Sequence, residues 1–432
     1  MPYWSRVWTF QEWHLPTQAP VLICGNCVMQ RSDLSDSQGR IWQLLSEVVT
    51  RLIARDHSGK SAHYPESESA VLREIEKLPA LKPFPELEIK EKTQSMSFLL
   101  RHTVRRQCSN PLDKVFGLYG MCPTLQLAYK PDYGKSVERV LRETTAFMIN
   151  NEHYLHFYCV FGMRKNHIDA VEPSWVPDFS QDHLTMEANR FPRYFSFQID
   201  ENPGNALYIE HGECFGDLES ATVPAEVDDT ILQLSAKRIG ALTVCMRFEE
   251  TYPKVLEQLQ LLLEENSASS ILGDHVRVTG AALVQRMAGA CFIQEPKSVQ
   301  YTAQEILAGF NTLFASLDRK EGAEALLPPN DLANLCRRAA SDLAGKTVFT
   351  TDNGLFGIGP DDVHSGDVLI VSPEVRMPLI LRPRKRETKS GVRGDYRLVG
   401  TCYVDGIMAH VALDENAAAE VRGVEQTVFE IW

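Results

Sequence analysis

The 432-residue chain has no apolar run approaching the roughly 18 residues that a membrane-crossing helix needs. It also lacks the basic start and apolar core of about seven to fifteen residues that mark a secretory leader. These absences give the expectation of a cytoplasmic protein without a membrane partner. Basic charge is scarce as well: 44 Lys and Arg stand against 57 Asp and Glu, a net charge of −13. That balance argues against nucleic acid as a partner, because such a surface needs clustered cations that release counterions. The one basic cluster, RPRKRETK at 382–389, reads as a solvated loop between two strands, with a phosphate-binding or localisation patch as the alternative.

Catalytic and metal-binding motifs are missing too. The ten cysteines have no framework spacing, which fits reduced thiols used as small hydrophobes. Cys24 and Cys27 form a lone Cys-x-x-Cys, but no helix start follows to activate a thiol and no further ligands occur at zinc spacing. They flank a Gly25-Asn26 hairpin turn, and no metal is expected. The 12 histidines include no HExxH pair, and His102, His153, His156 and His167 are scattered. GLFGIG at 354–359 is not followed by a helix or a Lys-Ser/Thr pair, so it is not a phosphate loop. No Gly-x-Ser-x-Gly elbow and no repeat of fixed period occur.

What is present suits a folded protein of two or three domains, with 44% hydrophobic and 9% aromatic residues. PYWSRVWTFQE at 2–12 reads as a short helix with Trp4, Val7, Trp8 and Gln11 on its apolar face and Glu12 one turn beyond Trp8. Its covering partner must come from later in the chain or from elsewhere. The apolar spacing over Leu34–Ala54 predicts a helix, and 56–69 a loop. Ser136 opens another helix with Val140, Leu141, Thr144, Phe147 and Met148 on its inner face. Asp113 is placed to cap a helix or to pair with an arginine, and Trp175 to fill a core. Residues 254–343 have helical periodicity. TVFTT, LFGIG, DVLIV, PLILR, YRLVGTCYV and TVFEI follow as short strands punctuated by Gly and Pro, which predicts a small antiparallel β-barrel over 346–432.

Several blocks carry a resemblance. Arg6, Trp8, Gln11, Glu12 and Gly25 fit an Arg-x-Trp-x-x-Gln-Glu helix followed by a strand ending in Gly. LDKVFGLYG (112–120), KPDYGKSVERVLRETTAFMI (130–149), PSWVPDFS (173–180), GLFGIGPDDVHSGDVLIV (354–371), PLILRP (378–383) and YRLVGTCYVDGIM (396–408) follow in order. In these blocks the chain resembles the fungal heterokaryon incompatibility (HET) domain family. The family's opening Tyr-x-Ala-Leu-Ser-Tyr-x-Trp-Gly strand and its Asp-x-x-Cys-Ile-Asn-Gln segment do not occur, so the expectation is a protein lacking the front of the HET module. Asp405-Gly-Ile-Met-Ala-His410 also departs from the family's His-Gly-Ile-Met-Asp-Gly-Glu string.

The resemblance, combined with the residue patterns, implies a mixed α/β (α+β) fold. Residues 1–55 are expected to be the remnant of a TIR-like HET module, 56–193 mainly helical, 194–345 mixed and 346–432 barrel-like. It also implies a role in fungal non-self recognition and programmed cell death, in a truncated or regulatory form. Enzymatic activity stays open, with the weight against it. The alternative is an NAD glycohydrolase completed by a missing or partner segment. In that case Glu12, with Trp8 and Arg6 in support, resembles the catalytic glutamate of NAD-hydrolysing TIR domains, and NAD is a substrate while no cofactor is needed. The plainer role for Glu12 is a structural carboxylate that pairs with an arginine or caps backbone amides. A protein partner or self-association through the aromatic helix is expected, and the activating signal is not legible.

Overall fold

A computed structural model describes residues 6–16, 21–24, 27–30, 95–103, 106–153, 155, 158, 173–179, 226–228, 230–264, 284, 287, 302–317, 331–372, 374–375, 377–384, 395–404 and 424–432. The helix read over Leu34–Ala54, the loop after it and the Asp405–His410 string lie outside these residues. Two compact units divide the chain: Met1–Val140 with Phe179–His183, and Leu141–Asp178 with Leu184–Trp432. Helices and a β-rich carboxy-terminal sheet together make an α+β arrangement. Among the described residues, no helix is long and apolar enough to cross a membrane.

The first unit opens with helix α1, Trp8–His14. Strands β1 (Val21–Cys24) and β2 (Cys27–Gln30) pair antiparallel with Cys24 opposite Cys27, as the Gly25-Asn26 dipeptide predicts. Helices α2 (Met96–Thr103), α3 (Asp113–Phe116) and α4 (Pro123–Ala128) follow, with a 3-10 turn at Tyr119–Met121. Pro123 stands in the first turn of α4, where its missing N–H has no helical partner to lose. Asp113 begins α3, and its carboxylate accepts the Tyr133 hydroxyl at 2.7 Å where a helix cap or a pairing with an arginine was expected. Burial, then this hydrogen bond, pushes the Tyr133 pKa up to about 12.

Helix α5, Val137–Glu152, begins where Ser136 predicts: the Arg139 amide donates to the Ser136 hydroxyl at 3.3 Å. Its residues Val140, Leu141, Thr144, Phe147 and Met148 are all buried.

In the second unit, helices α6 (Tyr252–Glu264), α7 (Ala303–Leu317) and α8 (Asp331–Leu343) bury apolar positions at helical spacing. Val255, Leu256, Leu259 and Leu262 show the pattern on α6. Strands β3 (Glu226–Asp228) and β4 (Ile231–Arg247) precede α6. After α8 come β5 (Thr347–Thr351), β6 (Phe356–Gly359), β7 (Val368–Val371), β8 (Leu379–Pro383), β9 (Tyr396–Thr401), β10 (Tyr403–Val404) and β11 (Gln426–Ile431).

Strand β4, 17 residues long, is the centre of the sheet. Leu232–Lys237 pairs with β11, Lys237–Ala241 with β7 and Leu242–Arg247 with β5. Register shifts at 238/240 and 242/244 mark irregularities that let one strand serve these ladders. Pairing passes from β4 through β11, β9, β8 and β7 back to β4, while β5, β6 and β10 extend from β4. The terminal strands occur where the sequence places them. Their central partner comes from residues 231–247, upstream of 346, and the β11–β9 contact is parallel where an all-antiparallel arrangement was expected.

Candidate functional site

Helix α1 is short, and what holds it lies in residues 106–121. The Val7 amide donates to the Gln107 carbonyl at 3.0 Å, and Arg6 forms an isolated parallel bridge with Gln107. The Thr9 hydroxyl donates to the Arg6 carbonyl at 2.7 Å and accepts from Arg106 Nη1 at 3.3 Å. The Arg106 guanidinium also lies 5.3 Å from the centre of the Phe10 ring. Burial lowers the Arg106 pKa to about 10. Gln11 Oε1 accepts the Gly120 amide at 3.1 Å. A side chain at Gly117 would meet Val7 at 2.9 Å, so the backbone of the LDKVFGLYG block lies directly against the helix.

The buried face is Val7, Phe10 and Trp13 with Thr9; of the face expected from the sequence, Val7 is buried, Trp8 and Gln11 are half-buried, and Trp4 lies outside the described residues. The reason is local: the helix starts at Trp8 with Val7 as its cap, and Gln11 is committed to the Gly120 amide. Trp8 is half-buried, while Arg6 and Glu12 are exposed. Trp8 and Glu12 keep their one-turn spacing on α1, and Arg6 precedes the helix.

Of the PSWVPDFS block, residues 173–178 belong to the second unit. Trp175 is fully buried and its indole N–H donates to the Thr230 carbonyl at 2.9 Å. The Tyr158 hydroxyl donates to the Trp175 carbonyl at 2.7 Å, and burial raises its pKa well above the ordinary phenol value. The Ser174 hydroxyl donates to the Trp432 carbonyl and accepts the Leu398 amide. This motif is structural packing.

A charged cluster on β8, β9 and the loop before β7 is the feature that sequence reasoning missed. Arg382 and Arg397 are cross-strand partners. Arg382 donates through Nε and Nη2 to the two oxygens of Asp367 at 2.8 and 3.0 Å. The Asp367 side chain is 2% exposed, and its Oδ2 also accepts the His364 amide at 2.8 Å. Arg382 further donates to the Asp362 carboxylate at 3.2 Å and to the Asp362 carbonyl. Burial works against the Arg382 charge, but the hydrogen bonds and charge of Asp367, then Asp362, outweigh it and raise its pKa.

Its neighbours are less well served. Arg397 Nη2 lies 3.7 Å from Asp362, and its buried Nε has no hydrogen-bond partner. The Arg384 guanidinium stacks 4.3 Å above the Trp432 ring, and its buried Nη1 has none either. Burial lowers the pKa of both. The basic cluster is thus not purely a solvated loop: Arg382 and Pro383 belong to β8. A signal existed in the charged positions on otherwise apolar strands, but Asp362 and Asp367 are too far away in sequence to connect to them. Among the described residues, no group of three or more His, Cys, Asp and Glu side chains could hold a metal ion.

Residues 330–420 match the family model of the Het-6 beta-barrel domain, which points to a HET-related family. No curated protein and no solved structure matches the chain.

Proposed function

We propose that the chain is a heterokaryon incompatibility-type protein of fungal non-self recognition and programmed cell death, in a regulatory form without catalysis of its own. The observation that carries this reading is the Het-6 match over residues 330–420, which falls on the strand-rich part of the chain. On this reading the terminal strands act as a closed β-module, and residues 1–55 belong to a TIR-like HET module in a cytoplasmic protein. The packing of α1 supports a non-catalytic form, because Val7, Phe10 and Trp13 are buried in the helix's own unit. Half-buried Trp8 and exposed Glu12 are then the helix surface for a protein partner or for self-association.

One observation favours a second reading, NAD hydrolysis through Glu12: the residue is exposed and stands one turn after half-buried Trp8 on the same helix. Purified full chain incubated with NAD decides between them. The regulatory reading expects no nicotinamide release, together with an altered incompatibility response when the chain is expressed in a fungal host. Release that disappears in Glu12→Ala overturns it in favour of the hydrolase.

A further inference from the structure

Among the described residues, arginines outnumber carboxylates in the β8–β9 cluster. Arg382, Arg384 and Arg397 converge there, and the carboxylates facing them belong to Asp362 and Asp367. Asp367 is saturated by the two-pronged Arg382 bond and the His364 amide. Asp362 accepts from Arg382 at 3.2 Å, and His364 Nδ1 lies 3.8 Å from it. What remains for Arg397 is a 3.7 Å approach to that same carboxylate, beyond a direct hydrogen bond. Arg384 faces the indole of Trp432, which offers no acceptor oxygen.

Two half-buried guanidinium groups thus each have one enclosed nitrogen whose N–H no described residue accepts. Buried donors left without an acceptor are rare in folded proteins. Access survives nevertheless: the side chains of Arg397 and Arg382 are 14% and 22% exposed, so nitrogens at the outer edge of the cluster can meet a solute. The backbone fixes the arrangement, since Arg382 and Arg397 face each other across the ladder and the Arg384 amide donates to the Asp395 carbonyl at 2.8 Å.

We propose that Arg384 and Arg397, flanked by Trp432, form a binding site for a phosphate group carried by a small molecule, with Arg382 held in place beside them by Asp367. A tetrahedral oxyanion has enough acceptors to bridge two guanidinium groups, and Arg is the cation best suited to it. A carboxylate offers two acceptor oxygens where phosphate offers more, so it should bind the pair less tightly.

The test is titration of the full chain with inorganic phosphate at constant ionic strength, followed by calorimetry and by the thermal midpoint, with acetate as the carboxylate control. Saturable binding of one phosphate per chain is expected, with a midpoint that climbs as phosphate is added. Arg397→Gln and Arg384→Gln should each weaken binding about tenfold or more. Lys254→Gln, at an exposed position outside the cluster, should leave it unchanged. Circular dichroism separates lost binding from lost folding, and Arg384→Gln, at the half-buried position, serves if Arg397→Gln does not fold. Absence of saturable binding to the folded chain, equal binding by the folded Arg384→Gln variant, or acetate binding as tight as phosphate overturns the proposal.

Discussion

Asp367 carries more of the second unit's local order than its size suggests. It receives two guanidinium bonds and one backbone amide while almost fully enclosed. Asp367→Asn should destabilise the unit by about 3 kcal/mol, since it leaves the Arg382 charge without its main partner. A denaturation midpoint that stays put in this variant would show that the pair is dispensable. Gly357 is constrained differently: a side chain there would run into the Phe349 ring and come within 2.6 Å of the Tyr403 carbonyl. Gly357→Ala is expected to cost about 1–3 kcal/mol through overpacking, read in the same melt. Little of this was legible beforehand. The charged residues of the cluster are spread over β8, β9 and a loop, and only the fold of the ladder makes them neighbours. Trp175, bracketed by prolines in a short apolar block, was recognisable as a core residue.

At the scale of elements, punctuation decided what could be read. Gly and Pro between apolar runs marked the terminal strands, and Ser136 marked the start of α5. Helix α7 begins with a reciprocal pair: Glu305 Oε2 accepts the Thr302 amide at 2.7 Å, and the Glu305 amide donates to the Thr302 hydroxyl at 3.3 Å. The bond from the Thr302 backbone, then that from its hydroxyl, lowers the Glu305 pKa. The depressed value fixes the sign: the cap helps above the ordinary carboxylate pKa and its contribution is lost as pH falls through the lowered one. Acid titration followed by amide signals of the first turn of α7 should show this loss, and Glu305→Gln should abolish the pH response. Helix α1 was recognised, but its buried face was misjudged by about one position, because seven residues set a weak periodicity and the partner backbone at 106–121 chooses the face. Phe10→Ala should therefore cost the first unit about 3–5 kcal/mol. Faster proteolysis of residues 106–121 would accompany it, and an unchanged digestion pattern would count against the packing described.

At the scale of the whole molecule, the region matched to the Het-6 model omits the strand at the centre of its own sheet. β4 supplies partners to β5, β7 and β11 from residues 231–247. A fragment of residues 330–432 should consequently fail to fold, whereas residues 226–432 should give a cooperative melt. A stable, cooperative short fragment would mean that β4 is an accessory. Sequence patterns marked 194–345 as mixed in character and did not single out β4 as the hub, since pairing across long separations leaves no local trace.

That same strand has a consequence in the order of synthesis. β4 leaves the ribosome long before its neighbours, and the Gln426 side chain that bonds Ser235 arrives 191 residues later. Throughout that interval a long, half-apolar strand has open backbone edges, the condition under which nascent chains pair wrongly with one another. The gap before closure is set by elongation at about 5–20 residues per second, so it lasts on the order of tens of seconds. Nascent chains stalled before β11 should therefore be held by chaperones that protect exposed strands, and release should coincide with emergence of the last strand.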